Sequence, residues 1–274
     1  MNNYKYFDAH FHLFDNTELG NTLAKNIDEQ STKEYFINKY YTNGNMIGGI
    51  VMGNGPLEKQ GINLPDNFFY CAGLDEKSYF PLNSEIYKKI EQHLKNEKCV
   101  GVKLYPGYIS LYPNDEQYYK IFKLLLKYNK VLSVHTGMPV GLGGKIKYTK
   151  PIHIDDIAVD FPDLKIVMCH FGNPFLNEAG AVMEHNSNVF SDLSGLIEGK
   201  FNADTVSKYD MYTLKTWIEY VEDPKRFIFG TDWPVTNCDE YQRFILKMFD
   251  EEYIEDVMIN NSLNIYGIKD KLKY

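Results

Sequence analysis

Two histidines one residue apart, His10 and His12 in Phe7-Asp8-Ala9-His10-Phe11-His12, are the first residues whose types and spacing point to chemistry. On an extended segment, residues i and i+2 face the same side about 6 to 7 Å apart, so two imidazoles there can hold one metal ion. A short His-x-His pattern also arises by chance, and its weight depends on what else reaches the same place. Further along, Lys103, His135, His170 and Asp232 each stand at or just past the end of a short apolar run. The chain has seven histidines, and four of them fall at such ends. The other three have simpler readings: His93 and His185 lie in polar helix candidates and His153 opens another, where solvated or capping histidines are ordinary.

The elements that must position these residues are short apolar runs alternating with amphipathic stretches, the pattern of repeated βα units. Strands are expected over residues 6–10, 47–52, 68–73, 100–105, 131–135, 165–170, 189–193 and 227–231. Helices are expected over 32–41, 84–96, 115–128, 154–161, 176–186, 203–222 and 239–249. In 115–128, Tyr118, Ile121, Phe122 and Leu125 fall at i, i+3, i+4 and i+7 and form one core-facing stripe. Eight strands is the number a closed parallel barrel needs. The expected fold is therefore α/β, a (β/α)8 TIM barrel in one domain over residues 1–274. It is slightly irregular, because Gly55-Pro56 and Leu64-Pro65 leave the second unit room for only a loop or a short turn. A terminal helical segment over 252–266 is expected to break near Asn260-Asn261. In such a barrel the chemistry sits where strands end, which is where the residues above fall.

Composition excludes several classes. Apolar residues make up 44%, but no uninterrupted run approaches the roughly 20 residues of a membrane helix. Residues 1–5 lead directly into the first strand without the features of a signal peptide, so a cytoplasmic location is expected. A net charge of -8 with mixed signs offers no basic stripe for nucleic acid. Arg226 and Arg243 are the only arginines, which makes a bidentate clamp on a substrate carboxylate improbable unless one of them reaches the site. Cys71, Cys99, Cys169 and Cys238 are far apart and read as reduced, structural thiols.

Five stretches together resemble a known family: Asp8-Ala9-His10-Phe11-His12, Gly101-Val102-Lys103-Leu104-Tyr105-Pro106, Val134-His135-Thr136-Gly137, Cys169-His170-Phe171-Gly172-Asn173 and Phe229-Gly230-Thr231-Asp232-Trp233-Pro234. They look like the amidohydrolase superfamily, in its amidohydrolase-related group, which also contains decarboxylases and lactonases. The resemblance implies that His10, His12, His135 and Asp232 hold a divalent metal, most often zinc, which lowers the pKa of a bound water. It implies that Asp232 takes the water proton and delivers it to the leaving group. It also implies that His170 binds a second metal, or hydrogen-bonds the water and polarises a carbonyl.

Lys103 stays open among three readings. It is a carboxylated bridge between two ions, a free ammonium facing a substrate carboxylate or enolate-like intermediate, or a buried stem with its head in a structural hydrogen bond. Gly141-Leu142-Gly143-Gly144 followed by Lys145, Lys147 and Tyr148 is expected to cover the site, with Lys145 contacting substrate, or to be a plain flexible connection. Tyr105, Tyr108 and Tyr112 are expected near the pocket, and Asp192 is expected to support His170 or Lys103. The expected activity is hydrolysis of an amide, ester or lactone of a small molecule. Non-oxidative decarboxylation is the first alternative, and a metal- or ligand-binding barrel without turnover is the second. A homo-oligomer is left open.

Overall fold

The computed structural model describes every residue except 1–3, 16, 142, 207 and 274. The start of the N-terminal segment, Leu142 of the glycine-rich loop and Ser207 of the 203–222 helix candidate therefore lie outside the described residues. Eight strands, β1 (Tyr6–Phe11), β2 (Met46–Met52), β3 (Phe68–Leu74), β4 (Cys99–Leu104), β5 (Val131–Val134), β6 (Ile166–Met168), β7 (Val189–Asp192) and β8 (Phe227–Ile228), pair in parallel in chain order. Backbone bonds close the last seam. Ala9 N–H donates to Phe229 O at 2.9 Å, Thr231 N–H to His10 O at 3.1 Å and His12 N–H to Trp233 O at 2.8 Å. The result is the TIM barrel that the alternating pattern predicts. Its strands are buried on both faces, which is why they read as near-continuous apolar runs.

The helices are α1 (Glu18–Asn26), α2 (Lys33–Phe36), α3 (Ser84–Leu94), α4 (Tyr119–Tyr128), α5 (Ile152–Asp160), α6 (Leu176–His185), α7 (Lys208–Tyr220) and α8 (Cys238–Leu246). Ile121, Phe122 and Leu125 of α4 are buried, as their stripe requires. After β2 only the short turn Leu57–Lys59 forms, in keeping with the proline-rich second unit. No helix among the described residues is long and apolar enough to cross a membrane, and all four cysteines are buried and free.

Several boundaries differ from the sequence reading. β6 ends at Met168, because the chain enters a tight turn in which His170 and Phe171 take φ of +64° and +44°. β8 ends at Ile228, since the following residues bond β1 in a looser register. α7 begins at Lys208 rather than at 203. The C-terminal segment winds as Glu251–Glu255, a π turn Asp256–Asn260 and Asn261–Ile265, so the asparagine pair marks a change of winding rather than a break. α1 is absent from the elements expected from the sequence.

His93 is not a solvated residue. Its Nε2–H donates to Leu57 O at 3.1 Å, and its Nδ1 accepts from the Tyr70 hydroxyl at 2.8 Å. Burial lowers its pKa, because the imidazolium would lose more solvation than the neutral ring. A depressed folded pKa means stability present above the unfolded pKa, about 6.5, and lost as pH falls below it. In urea titrations between pH 7.5 and 5, His93→Gln is expected to flatten this acid-side loss. An unchanged slope would show that His93 does not carry it.

Candidate metal centre

A cavity of about 560 Å³ opens at the C-terminal ends of the strands, and His10, His12, Lys103, Tyr105, His135, His170 and Asp232 all line it. His10 sits on β1 and His12 just past it, Lys103 on β4, His135 after β5, His170 in the turn after β6 and Asp232 after β8. Asp232 Oδ1 lies 3.3 Å from His10 Nε2 and 3.1 Å from His12 Nε2, and its Oδ2 lies 4.0 Å from His170 Nδ1.

The hydrogen-bond partners decide which imidazole nitrogens point inward. His10 Nδ1 meets Asp192 Oδ2 at 2.7 Å, and His12 Nδ1 meets Asn54 Oδ1 at 2.6 Å and Met52 O at 3.1 Å. These oxygens accept, so both Nδ1 atoms carry the proton and both Nε2 atoms present lone pairs. His170 Nδ1 faces Ser194 O at 3.0 Å, so His170 Nε2 accepts from His135 Nδ1 at 3.1 Å and His135 Nε2 is left bare. Buried His10 Nε2, His135 Nε2 and Asp232 Oδ1 have no hydrogen-bond partner among the described residues. Buried polar atoms left unpaired are costly, and imidazole nitrogens and a carboxylate oxygen are donor types that a divalent cation takes. His10, His170 and Asp232 also stand close enough together to share one ion. A second close group, His10, Cys169 and Asp192, is internally satisfied by the His10–Asp192 bond and by Lys103.

Burial and Lys103 oppose charge on His10, but Asp192 beside it holds the imidazole well above its usual range, so a cation at Nε2 competes with a proton there. Burial pushes the Asp232 carboxyl up, but the imidazoles of His170, His10 and His12 outweigh it and hold it well below the usual carboxylate range. Burial also opposes charge on Asp192, which its contact with His10 holds far below that range. Burial lowers His170 to about 4, and His135 is lowered by burial and by His170. Asp192 additionally accepts from the His170 backbone N–H at 2.8 Å and from the Ser194 hydroxyl at 2.6 Å, so it buttresses both His10 and the His170 turn, and does not bond Lys103. Asp192→Asn is expected to weaken metal affinity by about 10- to 100-fold in competition titrations with a chelator. Wild-type affinity in that variant would remove Asp192 from the site.

Lys103 is fully buried, and its Nζ bonds Cys169 Sγ at 2.7 Å. Tyr105 donates its hydroxyl to Gly53 O at 2.7 Å, and Tyr108 closes on the backbone of Val140. Tyr112 packs instead on Tyr148 and His153 outside the cavity wall. Lys145 is exposed and does not line the cavity, whereas Gly143 of its loop does. Sequence reasoning missed Asn54, Ser194 and Gly195. The signal lay in polar or small residues directly after β2 and β7. At Gly195 the φ is +58°, and a Cβ would stand 2.8 Å from Asp232 Oδ2 and 3.2 Å from His170 Nδ1, so only glycine fits beside them.

Residues 80–268 match the family described as Amidohydrolase. The chain belongs to that family. No curated protein matches the amidohydrolase sequence at a significant level. Among solved structures it is similar to an uncharacterised TIM-barrel protein from Bordetella bronchiseptica, with 18% identity and a TM-score of 0.74, over 96% of this chain and 99% of that one. It is also similar to a probable 2-pyrone-4,6-dicarboxylic acid hydrolase from Acinetobacter baumannii with citric acid bound, with 16% identity and a TM-score of 0.64, over 96% and 99%. A third is a dihydroxybenzoic acid decarboxylase from Polaromonas with bound manganese and an inhibitor, with 16% identity and a TM-score of 0.63, over the full length of both chains. At these identities the likeness shows the amidohydrolase fold. Several of the similar structures bear the names of decarboxylases.

Proposed function

We propose that this chain is a metal-dependent hydrolase of small molecules, built as one barrel domain, in which His10, His12, His135 and Asp232 hold one divalent ion. The observation that carries the reading is the set of unpaired buried atoms His10 Nε2, His135 Nε2 and Asp232 Oδ1, with His10 and His12 Nε2 at 3.3 and 3.1 Å from that oxygen. We take zinc as the ion, since three imidazoles and one carboxylate suit it. When bound, the ion supplies Lewis acidity and a water of lowered pKa. Asp232, with Oδ2 turned towards His170, takes the proton of the attacking water and returns it to the leaving group. His170, uncharged at neutral pH, stays hydrogen-bonded between Ser194 and His135 and so keeps a fixed orientation beside the reacting carbonyl. Lys103, held on Cys169, places a cation at the cavity floor.

The same site supports a second reading, decarboxylation of a small carboxylic acid. It is favoured by the decarboxylases among the similar folds, and in it Lys103, held on Cys169, would face the negative charge that develops. Turnover of ester, lactone, amide and carboxylic acid panels in isotopically labelled water tests both. Hydrolysis puts a solvent oxygen into the acid product, whereas decarboxylation releases carbon dioxide and puts a solvent deuteron on carbon. Elemental analysis reads the ion, and unchanged metal content in His10→Ala/His12→Ala would sink the ligand assignment.

A further inference from the structure

The cavity has two unlike parts. Its floor is the polar constellation described above, and its mouth is apolar. Leu19 and Leu23, one turn apart on α1, face Met138 and Val140 from the loop after β5. Leu19 and Met138 are 49% and 50% exposed, a cost in water that a substrate covering them would offset. Phe14 joins the two parts, because it lines the cavity and stacks on His12 with ring centroids 5.1 Å apart and planes 15° apart. An apolar surface thus runs from the edge of the metal ligands to the rim.

Charge around the cavity is sparse in cations. Lys103 and Lys77 are the two that line it, against Asp75, Glu198 and Asp232. Lys103 is engaged by Cys169, whereas the Nζ of Lys77, on the turn Lys77–Tyr79 after β3, has no hydrogen bond or ion pair among the described residues. Neither arginine helps: Arg226 donates to Met183 O and Asn186 O, and Arg243 pairs with Glu240 and Asp204. Above the floor, where the proposed ion would balance Asp232, a ligand with several carboxylates would meet Asp75 and Glu198 with only Lys77 to balance them.

We infer that the substrate carries its reacting group on an apolar body, an aryl ring or an alkyl chain of similar bulk, and bears at most one carboxylate beyond that group, taken by Lys77. The inference rests on the proposed function in placing the reacting group at the His10–Asp232 floor. α1 and residues 138–140 grip the apolar body, and Lys77 sets the charge limit.

Calorimetry on the metal-loaded protein with unreactive carboxylates tests this. Benzoate and hexanoate are expected to bind at least about tenfold more tightly than acetate, because each buried methylene adds to affinity. Trimesate, the same ring with three carboxylates, is expected to bind no more tightly than benzoate. Leu19→Gln/Leu23→Gln is expected to weaken benzoate and hexanoate about tenfold while leaving acetate affinity and metal content unchanged. Met138→Gln on the facing loop gives the same test independently of α1. Trimesate binding more tightly than benzoate, or benzoate affinity unchanged in both variants, would overturn the inference. A protein that holds no ion yet prefers benzoate to acetate through Leu19 and Leu23 would instead refute the proposed chemistry and keep the apolar mouth.

Discussion

Asp232→Asn is expected to leave a folded barrel with turnover reduced about a thousandfold or more. Asparagine fits the backbone, since Asp232 sits at φ +64°, a conformation that Asn tolerates nearly as well as Asp. What is lost is charge: the amide neither balances a cation among three imidazoles nor accepts the water proton. Far-ultraviolet circular dichroism should stay unchanged while metal content and kcat both fall. Wild-type turnover in a folded Asp232→Asn would remove this residue from the chemistry and leave a barrel whose floor is only structural.

The largest stability effect is expected away from the cavity, at Glu29. Its side chain is 1% exposed and accepts from Lys39 Nζ at 2.8 Å, Trp233 Nε1 at 2.8 Å, Asn237 Nδ2 at 2.7 Å and the Tyr40 hydroxyl. One carboxylate therefore pins the segment after α1, the turn following α2 and the loop that carries Asp232. Glu29→Ala strands these donors and is expected to cost about 3 to 5 kcal/mol, a large fraction of a domain's stability. A denaturant titration followed by tryptophan fluorescence would show the midpoint fall and the Trp233 signal change. Glu29→Gln, which keeps one acceptor oxygen, should lose less. A midpoint unchanged in Glu29→Ala would show that the donors find other partners.

The parts of this architecture that the sequence discloses are those whose residue types have one use. A buried parallel strand shows as an apolar run, and a histidine or aspartate at its end stands out against that background. Hence His10, His12, His135, His170 and Asp232 could be assigned to one barrel end from residue order alone. α1 escaped because its leucines serve the cavity mouth rather than the core: only Gly20 and Ala24 are buried, so no long apolar stripe forms. Its one legible sign was Thr17, whose hydroxyl caps the helix by accepting from Gly20 N–H at 3.1 Å. The early ends of β6 and β8 were hidden for another reason. Left-handed backbone at His170 and Asp232 is imposed by tertiary contacts, and side-chain type does not announce it. Lys103 has the same difficulty, since its Cys169 partner lies on a different strand end.

The division between apolar mouth and polar floor bears on how such a chain changes over generations. Leu19 and Met138 stand in water on segments with their own anchors, so replacing them shifts stability by only about 0.5 kcal/mol. Asp192 with His10, and Lys103 with Cys169, form two buried bonded pairs, and a change in either member disturbs its partner. Drift and selection can therefore rewrite what the barrel admits while the reacting centre stays frozen, and a mutant library confined to the rim should yield folded, metal-competent proteins with new preferences.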